Sequence, residues 1–483
     1  MKIIAYAPQR GMIVTVVDAD VVLACAALRA AGFSAHVESA RGKGNAPWEP
    51  WPSAVGEPDV PSNAPGLVRA LNAGLPGTAE PAVAAALRRL DLADGDGHDL
   101  RPGGWEVTSF AGVLAVRDRA RPAGHGEVYI GEDGLRFAAA LTRARPSGNA
   151  LDVGCGSGIV AATLARTCTA VTGIDVVPEC VEASRMTARL NDVADRVTIR
   201  TADLLDPGLD DEFAGRFDCV AANLPGVPVP TGLAYSPAGD GGPDGLRLFR
   251  ALFERIPAWV RHRPGPDPVL LLRFQSLGDG DRPFLLADIA TLAARQSWDV
   301  EVVADSRVSA DVRGALTAHY ARELNRDRSV EEILALVDAH VRSLHATDYY
   351  SSTLVARPGD GHVTFVDAAV TGRLDQPMRL APPRDLRRLS EVITYRYYSS
   401  LHRLPDGYWE LADQRTAAMP MQLLQAVGGR WSGTTATLRS VLHDVAHQLF
   451  AAAPLRARAL YTTAGLLLDV LVAMGLAEEA TPA

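Results

Sequence analysis

The sequence predicts an α/β protein built on a doubly wound, mostly parallel seven-stranded sheet. Two observations lead to this fold class. Apolar strand segments alternate with helical segments from residue 149 to about residue 303, and a glycine-rich turn follows the first of those strands. Such alternation is typical of a parallel sheet that helices cover on both faces. An N-terminal α+β lobe and a mostly helical C-terminal domain are predicted on either side of this core.

The chain length favours several domains. Its 483 residues exceed what one hydrophobic core serves, since single cores stop growing at about 250–300 residues. The predicted parts are an N-terminal α+β region, a central core and a mostly helical C-terminal domain. Their bounds are 1–125, with a proline-rich linker at 41–65, then 126–360 and 361–483.

Composition narrows the class of protein. With 47% hydrophobic and 22% charged residues the chain is ordinary for a globular protein, which excludes wholesale disorder. The net charge of -9 argues against nucleic acid as a partner, because phosphate binding needs a basic surface. The five cysteines form no CxxC pair, so we expect reduced thiols and no metal site. We recognise no signal peptide or membrane-length apolar run and expect a cytoplasmic protein without membrane contact.

The N-terminal region is predicted to mix short strands with short helices. Its helices have apolar residues at helical spacing, and Gly32 is placed to end the first of them. Six prolines between residues 41 and 65 exclude a helix or a central strand there. The predicted strands are 3–7, 34–38, 105–109 and 113–117, and the predicted helices are 21–31, 66–73 and 80–90.

The core is predicted from apolar runs of strand length that alternate with amphipathic helices. The strands are 150–153, 170–174, 197–201, 217–222, 269–274 and 299–303, and the helices between them are about 158–166, 178–191, 243–262 and 282–296. Two more helices are predicted at 310–325 and 330–345. A hairpin of strands 352–356 and 362–367 follows, joined by a turn at 357–361, and its first strand would complete the sheet.

The segment that carries chemistry is Leu-Asp-Val-Gly-Cys-Gly-Ser-Gly at 151–158, where a strand ends and a helix begins. Glycines there let the backbone approach a ligand, and the helix N-terminus offers unpaired N–H groups. Asp175 follows at the tip of the next strand, where a carboxylate can bind both ribose hydroxyls. Asp203 ends the third strand and is placed to accept a hydrogen bond from an adenine amino group. These residues fit either a dinucleotide or an S-adenosylmethionine (SAM) site.

The spacing favours SAM over a dinucleotide. The loop runs Gly-x-Gly-x-Gly, whereas a dinucleotide fold would have GxGxxG, and an Asn-x-Pro ends the fourth strand. Residues 126–305 resemble the Rossmann-like class I SAM-dependent methyltransferases, and within them the small-domain group that includes the release-factor glutamine methyltransferases. The segments that carry this resemblance are 151–158, 217–226 and 241–246.

The resemblance implies a role for each residue of the cofactor half of the site. The loop glycines would line the methionine part of SAM, and Asp152 would anchor the loop or the amino group. Asp175 would hold the ribose and Asp203 the adenine. Cys155 is interpreted as a small packing residue of the loop. The residues expected at the cofactor are Asp152, Gly154, Cys155, Gly156, Gly158, Asp175, Val176, Asp203, Leu204 and Asn223.

The acceptor half departs from the family pattern. The Asn-Pro-Pro-Tyr of the family holds a planar amino nitrogen through the Asn oxygen and a backbone carbonyl, while the Tyr stacks on the acceptor. Here Asn223 is kept, but Leu224 replaces the first Pro and Gly226 replaces the aromatic residue. Since glycine cannot stack, we expect a small-molecule acceptor that contacts Leu224, Pro225 and Tyr235.

Two residues before the core complete the predicted catalytic set. Tyr129 and Glu132 lie where the family often places a segment over SAM. Glu132 would hold the cofactor or act as a base, and Tyr129 would stack on the acceptor. Together with Asn223 they are the predicted catalytic residues.

The function predicted from these residues is SAM-dependent methyl transfer to a small-molecule acceptor, at a nitrogen of a specialised metabolite, within biosynthesis. Three alternatives stay open: a protein glutamine N5-methyltransferase, an enzyme that attacks the aminocarboxypropyl group of SAM, and a SAM-binding scaffold without catalysis. Residues 384–403 mix arginines with tyrosines in a nearly neutral C-terminal domain, and we interpret them as a domain or homodimer interface.

Overall fold

The structure is a computed structural model and describes residues 18–34, 65–118, 128–261, 267–367, 378–380 and 477–479. Its helices are α1 (Ala19–Ala30), α2 (Gly66–Leu71), α3 (Pro81–Arg89), α4 (Glu132–Ala144), α5 (Ile159–Leu164), α6 (Pro178–Leu190), α7 (Gly208–Phe213), α8 (Arg247–Trp259), α9 (Leu286–Gln296), α10 (Ala310–Ala321) and α11 (Val330–Ser343). The predicted strands at 3–7 and 34–38, the linker at 41–65, the interface at 384–403 and nearly all of the predicted C-terminal domain lie outside the described residues.

The strands are numbered in chain order. They are β1 (Gly77–Thr78), β2 (Ala93–Asp94), β3 (Asp99–Pro102), β4 (Trp105–Phe110), β5 (Val113–Asp118), β6 (Asn149–Val153), β7 (Ala170–Asp175), β8 (Val197–Thr201), β9 (Cys219–Asn223), β10 (Val269–Gly278), β11 (Trp298–Ser309), β12 (Asp348–Pro358), β13 (Val363–Asp367), β14 (Met378–Leu380) and β15 (Ala477–Glu479).

The central sheet confirms the predicted α/β class and contains one more strand than expected. Its order is β13-β11-β12-β10-β9-β6-β7-β8. Only β12 runs against its neighbours in this sheet, pairing antiparallel with both β10 and β11. The prediction that this strand completes the sheet is therefore confirmed. The eighth strand, β13, is parallel to β11 at the sheet edge.

The predicted hairpin of strands 352–356 and 362–367 is wrong. The strands β12 and β13 do not pair, because β11 lies between them. The turn crosses the start of β11, where Oδ1 of Asp299 accepts hydrogen bonds from the backbone N–H groups of Asp360 and His362, both at 3.0 Å. These bonds fasten the turn across β11, so the chain continues on its far side.

Helices cover both faces of the sheet, as the doubly wound prediction requires. On one face α8 and α9 contribute Phe249, Ile256 and Ile289 to a buried cluster. On the other, α4 and α5 contribute Phe137 and Ile159. Because helices bury both faces of the sheet, the inner strands are continuous apolar runs rather than strands in which apolar and polar residues alternate.

The N-terminal elements pack on α6 at one side of the core. The predicted pair of strands near 105–117 is confirmed as the β4–β5 hairpin. The Oγ1 atom of Thr187 accepts from the N–H of Val116 at 3.1 Å, and Oδ1 of Asn191 accepts from the N–H of Leu114 at 2.9 Å. Side chains in and just after α6 thus satisfy backbone groups of β5 that its partner strand leaves unpaired.

The two helices α10 and α11 are inserted between β11 and β12. They pack with the loop after β9 in a buried cluster that includes Val227, Leu233, Ile333 and Tyr349. This insertion places residues from far along the chain beside the carboxyl end of β9. Within the described residues, every helix is too short or too polar to cross a membrane.

Candidate active site

The glycine loop after β6 combines an open part with a tightly packed part. Gly154, Gly156 and Gly158 have positive φ angles of 72°, 51° and 80°. A Cβ atom on Gly158 would lie 2.6 Å from Cα of Ser184, so glycine lets α5 approach α6. A Cβ atom on Gly156 would have only a carbonyl oxygen at 4.0 Å near it. The middle of the loop is therefore open to a ligand.

Asp175 at the end of β7 is tied to this loop. Its Oδ2 atom accepts a hydrogen bond from the N–H of Gly156 at 2.8 Å, and its Oδ1 atom accepts from the N–H of Val177 at 3.0 Å. Burial raises the pKa of this carboxyl group, and the backbone hydrogen bonds oppose that rise. A carboxylate has about four acceptor positions. Both oxygens can therefore still accept bonds from ribose hydroxyls.

Asp152 in β6 is a buried carboxyl group with an unsatisfied oxygen. Its side chain is 1% exposed, and Oδ2 has no hydrogen-bond partner among the described residues. Burial and the charge of Asp175 raise its pKa to about 8. A cationic amino group would supply both the missing hydrogen bond and the compensating charge. The site thus fits the amino group of SAM.

The remaining residues predicted at the cofactor differ in exposure. Cys155 is buried, and its sulfur accepts a hydrogen bond from the hydroxyl of Ser184 at 3.3 Å, in agreement with a packing role. Val176 is 57% exposed next to Asp175. Asp203 is exposed two residues after β8, where it caps the turn to Leu205. The side chain of Leu204 is buried in the core, which leaves only its backbone for a ligand.

Asn223 at the end of β9 is held by a residue that the sequence analysis missed. Its Nδ2 atom donates a hydrogen bond to Oδ2 of Asp133 at 2.9 Å. Because an ionised carboxylate only accepts hydrogen bonds, the amide must turn its nitrogen towards Asp133 and keep its oxygen for another donor. Asp133 lies in the first turn of α4, directly after the predicted Glu132. The side chain of Glu132 lies outside the described part of the structure.

The loss of the aromatic residue at Gly226 has a structural reason. A Cβ atom there would lie 2.9 Å from the carbonyl oxygen of Gln275 in β10, so larger residues do not fit. The neighbouring Leu224 is buried, while Pro225 is partly exposed. The loop therefore presents backbone rather than an aromatic ring to the site.

Tyrosines from other parts of the chain lie beside this loop. The hydroxyl of Tyr349 donates to Oε1 of Gln275 at 2.6 Å and lies 3.5 Å from the carbonyl oxygen of Gly226. The guanidinium of Arg313 lies 4.7 Å from the centre of the Tyr349 ring. The charge of Arg313 also lowers the pKa of Tyr129 and Tyr235, although burial raises both pKa values further. The predicted Tyr129 and Tyr235 thus join two residues that the sequence analysis missed.

Comparison with known proteins finds methyltransferases that are similar to part of the core. Residues 150–230 match the family model described as a methyltransferase domain. The ubiquinone biosynthesis O-methyltransferase of Xanthomonas axonopodis is 35% identical over 127 residues, which are 26% of this chain and 51% of that protein. The release factor glutamine methyltransferase of Chlorobaculum tepidum is 35% identical over 95 residues, which are 19% of this chain and 32% of that protein.

A third similar protein is a methyltransferase that is named for a different substrate. The ribosomal protein L11 methyltransferase of Burkholderia thailandensis is 42% identical over 87 residues, which are 18% of this chain and 26% of that protein. The chain thus spans about half or less of the length of these relatives. The residues that match the methyltransferase-domain model lie on strands β6 to β9 of the doubly wound sheet and include the glycine loop.

Proposed function

We propose that this chain is a SAM-dependent methyltransferase that acts on a nitrogen atom of a small molecule. The observation that carries the proposal is the open glycine loop with two acidic side chains beside it. Asp152 has an unsatisfied buried oxygen, and Asp175 is fixed to the loop with acceptor positions to spare. One carboxyl group suits an amino group and the other suits ribose hydroxyls, which matches the two ends of the methionine and ribose parts of SAM.

Each residue of the cofactor half would bind a different part of SAM. The backbone at Gly154 and Gly156 would line the methionine chain, with Asp152 beneath its amino group. Asp175 would accept from the ribose, Val176 would cover one face of the base and Asp203 would accept from its amino group. Bound SAM supplies a methyl group already activated by the positive sulfur, so the chain needs to orient the acceptor and exclude water rather than provide a strong base.

The acceptor half favours a nitrogen atom. Asn223 keeps its carbonyl oxygen available because its amide nitrogen is held by Asp133. That oxygen and the backbone carbonyl of Leu224 would accept the two hydrogens of an amino group and align its lone pair with the methyl group. Asp133 would act as a positioning residue. It fixes the orientation of the amide on which this alignment depends.

The surroundings of this loop favour a small molecule over a peptide loop. Gly226 has no room for an aromatic side chain, and tyrosines from the segment before α4, the loop after β9 and the insertion supply rings in its place. Tyr129 is 36% exposed, so part of this group of rings faces solvent. Rings contributed by several elements would suit a compact acceptor with a planar or apolar part.

The experiment that tests the proposal is a turnover assay with SAM and a panel of amino-bearing small molecules. Release of S-adenosylhomocysteine together with a product heavier by one methyl group would support it. Release of methylthioadenosine instead would show transfer of the aminocarboxypropyl group. Methylation of peptides with a glutamine loop, but of no small molecule, would contradict the small-molecule assignment. The variant Asn223→Ala serves to show that turnover arises at this site.

A further inference from the structure

Beside the acceptor half of the site lies a partly exposed arginine, Arg313, for which the described residues supply no carboxylate partner. The Nε atom of Arg313 in α10 is buried and has no hydrogen-bond partner. No hydrogen bond or ion pair joins this side chain to any residue in the part of the chain that the structure describes. Because the residue as a whole is partly exposed, the rest of its guanidinium can still donate to an incoming group. The arrangement therefore leaves room for an anion.

A second arginine in the same region shows the contrast. The guanidinium of Arg307 lies 5.2 Å from the centre of the Tyr350 ring and pairs with Asp348 at 2.7 Å and Asp367 at 3.2 Å. Arg313 lies over the adjacent residue, Tyr349, in a similar way, but no carboxylate of the described side chains pairs with it. Among the side chains that the structure describes, carboxylates thus compensate the charge of Arg307 but not that of Arg313.

The groups around Arg313 suit an anionic ligand. Four tyrosines are close enough to interact electrostatically with its charge: Tyr129, Tyr235, Tyr320 and Tyr349. Burial raises the pKa of Tyr349 to about 12 and keeps the pKa of Tyr129 and Tyr235 above the ordinary value. These phenols are therefore neutral at neutral pH. They do not neutralise Arg313, and their rings can flank a bound ligand.

The same tyrosines connect Arg313 to the acceptor half of the site. The hydroxyl of Tyr349 lies 3.5 Å from the carbonyl oxygen of Gly226. The charge of Asp133, which holds Asn223, contributes to the raised pKa of both Tyr129 and Tyr349. The charges of Asp133 and Arg313 thus both act on Tyr129 and Tyr349. A ligand bound at Arg313 would reach towards the amide of Asn223.

We infer that Arg313 binds an anionic group of the methyl acceptor, so that the acceptor is a small amine that also carries a carboxylate or phosphate. This inference rests on the proposed function. A guanidinium presents a planar set of donors that matches the oxygens of either group. The ring of Tyr349 lies against the guanidinium and fixes its plane. Asn223 would then hold the amino end of the acceptor and Arg313 its acidic end.

The test uses the full chain saturated with S-adenosylhomocysteine and measures thermal stability against increasing acetate, benzoate and inorganic phosphate. Chloride at equal ionic strength controls for screening. We expect at least one of the probe anions to stabilise the natural protein. The variant Arg313→Met should raise the half-saturating concentration at least about tenfold, because a charged hydrogen-bonding pair is lost. The carboxylate and phosphate probes distinguish the two anionic groups.

Three controls keep the outcome clear. Arg307→Met removes a charge that is already paired, so it should lower stability and leave the anion effect unchanged. Arg313→Lys keeps the charge and should retain part of the anion effect, which covers the case in which Arg313→Met does not fold. Binding of S-adenosylhomocysteine should stay within about twofold in Arg313→Met, because the cofactor half is intact. Loss of cofactor binding in the natural protein would instead contradict the proposed function.

Two results would overturn the inference. One is equal stabilisation of the natural protein and of Arg313→Met by the probe anions. The other is a natural protein that binds S-adenosylhomocysteine but is not stabilised by any probe anion beyond the chloride control. An acceptor screen gives an independent check: acidic amines should be methylated at least about tenfold faster than their neutral amides, and Arg313→Met should remove that preference.

Discussion

The amide nitrogen of Asn223 donates a hydrogen bond to the carboxylate of Asp133 over 2.9 Å. This bond joins the carboxyl end of β9 to the first turn of α4, which precedes the sheet in the chain. It also decides the chemistry of the amide, since a carboxylate partner leaves the carbonyl oxygen of Asn223 as the group that faces a ligand. The proposed alignment of an acceptor nitrogen depends on this orientation.

Asp133→Asn should lower turnover about tenfold and leave the affinity for S-adenosylhomocysteine unchanged. An asparagine can donate as well as accept, so the amide of Asn223 would no longer have one preferred orientation. Steady-state kinetics and calorimetry on the same variant separate the two effects. Asp195→Asn, at an exposed residue away from the site, is the matched control and should keep full activity. Equal turnover in Asp133→Asn and the natural protein would contradict the positioning role.

Asn223→Ala should lower turnover about a hundredfold while the affinity for S-adenosylhomocysteine stays within about twofold. The side chain would lose the oxygen that holds the acceptor, but it makes no bond to the glycine loop. The measurement is kcat with a saturating acceptor beside a calorimetric titration. An equal loss of turnover and cofactor affinity would show that Asn223 acts in folding or cofactor binding instead.

Gly156→Ala should mainly weaken cofactor binding, whereas Gly158→Ala should mainly lower the stability of the fold. Both residues have positive φ, which costs an alanine about 1–2 kcal/mol. At Gly158 the new methyl group would also meet the backbone of Ser184, so the free energy of unfolding should fall by about 2–5 kcal/mol in total. At Gly156 it would enter open space and mainly weaken cofactor binding. Urea unfolding and calorimetry test both, and equal stability of the two variants would contradict the assignment.

The stability of the ligand-free protein should depend on pH through Asp152. The pKa of this carboxyl group is about 8 in the folded protein, against 3.8 for the ordinary group. Between these values the folded state holds a proton that the unfolded state has lost. Stability should therefore fall as the pH rises from about 4 to about 8, by up to about 1.4 kcal/mol per pH unit from this group.

Asp152→Asn removes this titrating group and should flatten the corresponding part of the pH profile. Urea unfolding at several pH values between 5 and 8 measures the difference between the two proteins, which should grow with pH in favour of the variant. Asp195→Ala, at an exposed residue, is the control and should leave the profile unchanged. Parallel profiles of Asp152→Asn and the natural protein would contradict the burial argument.

The sequence predicted the core because its signals are local. Each strand end that carries a site residue follows the previous one by no more than about thirty residues. The carboxyl ends of neighbouring parallel strands lie at the same edge of the sheet, so the glycine loop and the acidic residues come together there. The two helices predicted after residue 305 are confirmed as α10 and α11.

The acceptor half could not be predicted in the same way. Arg313 comes from the insertion between β11 and β12 and Tyr349 from the start of β12, and no pattern within these segments indicates that they lie beside the loop of Asn223. Asp133 has an ordinary helix-start sequence around it. The hairpin prediction failed for a related reason, since the side chain of Asp299 directs the turn across β11 and tertiary contacts override the local turn signal.

The most direct test of the central claim is a calorimetric titration of the purified protein with S-adenosylhomocysteine, beside Asp175→Ala and the surface control Asp195→Ala. We expect micromolar binding in the natural protein and in the control, and an affinity about ten- to a hundredfold weaker in Asp175→Ala, because a charged acceptor of the ribose hydroxyls is lost. No binding in the natural protein, or equal binding in all three proteins, would contradict the SAM site proposed at the glycine loop.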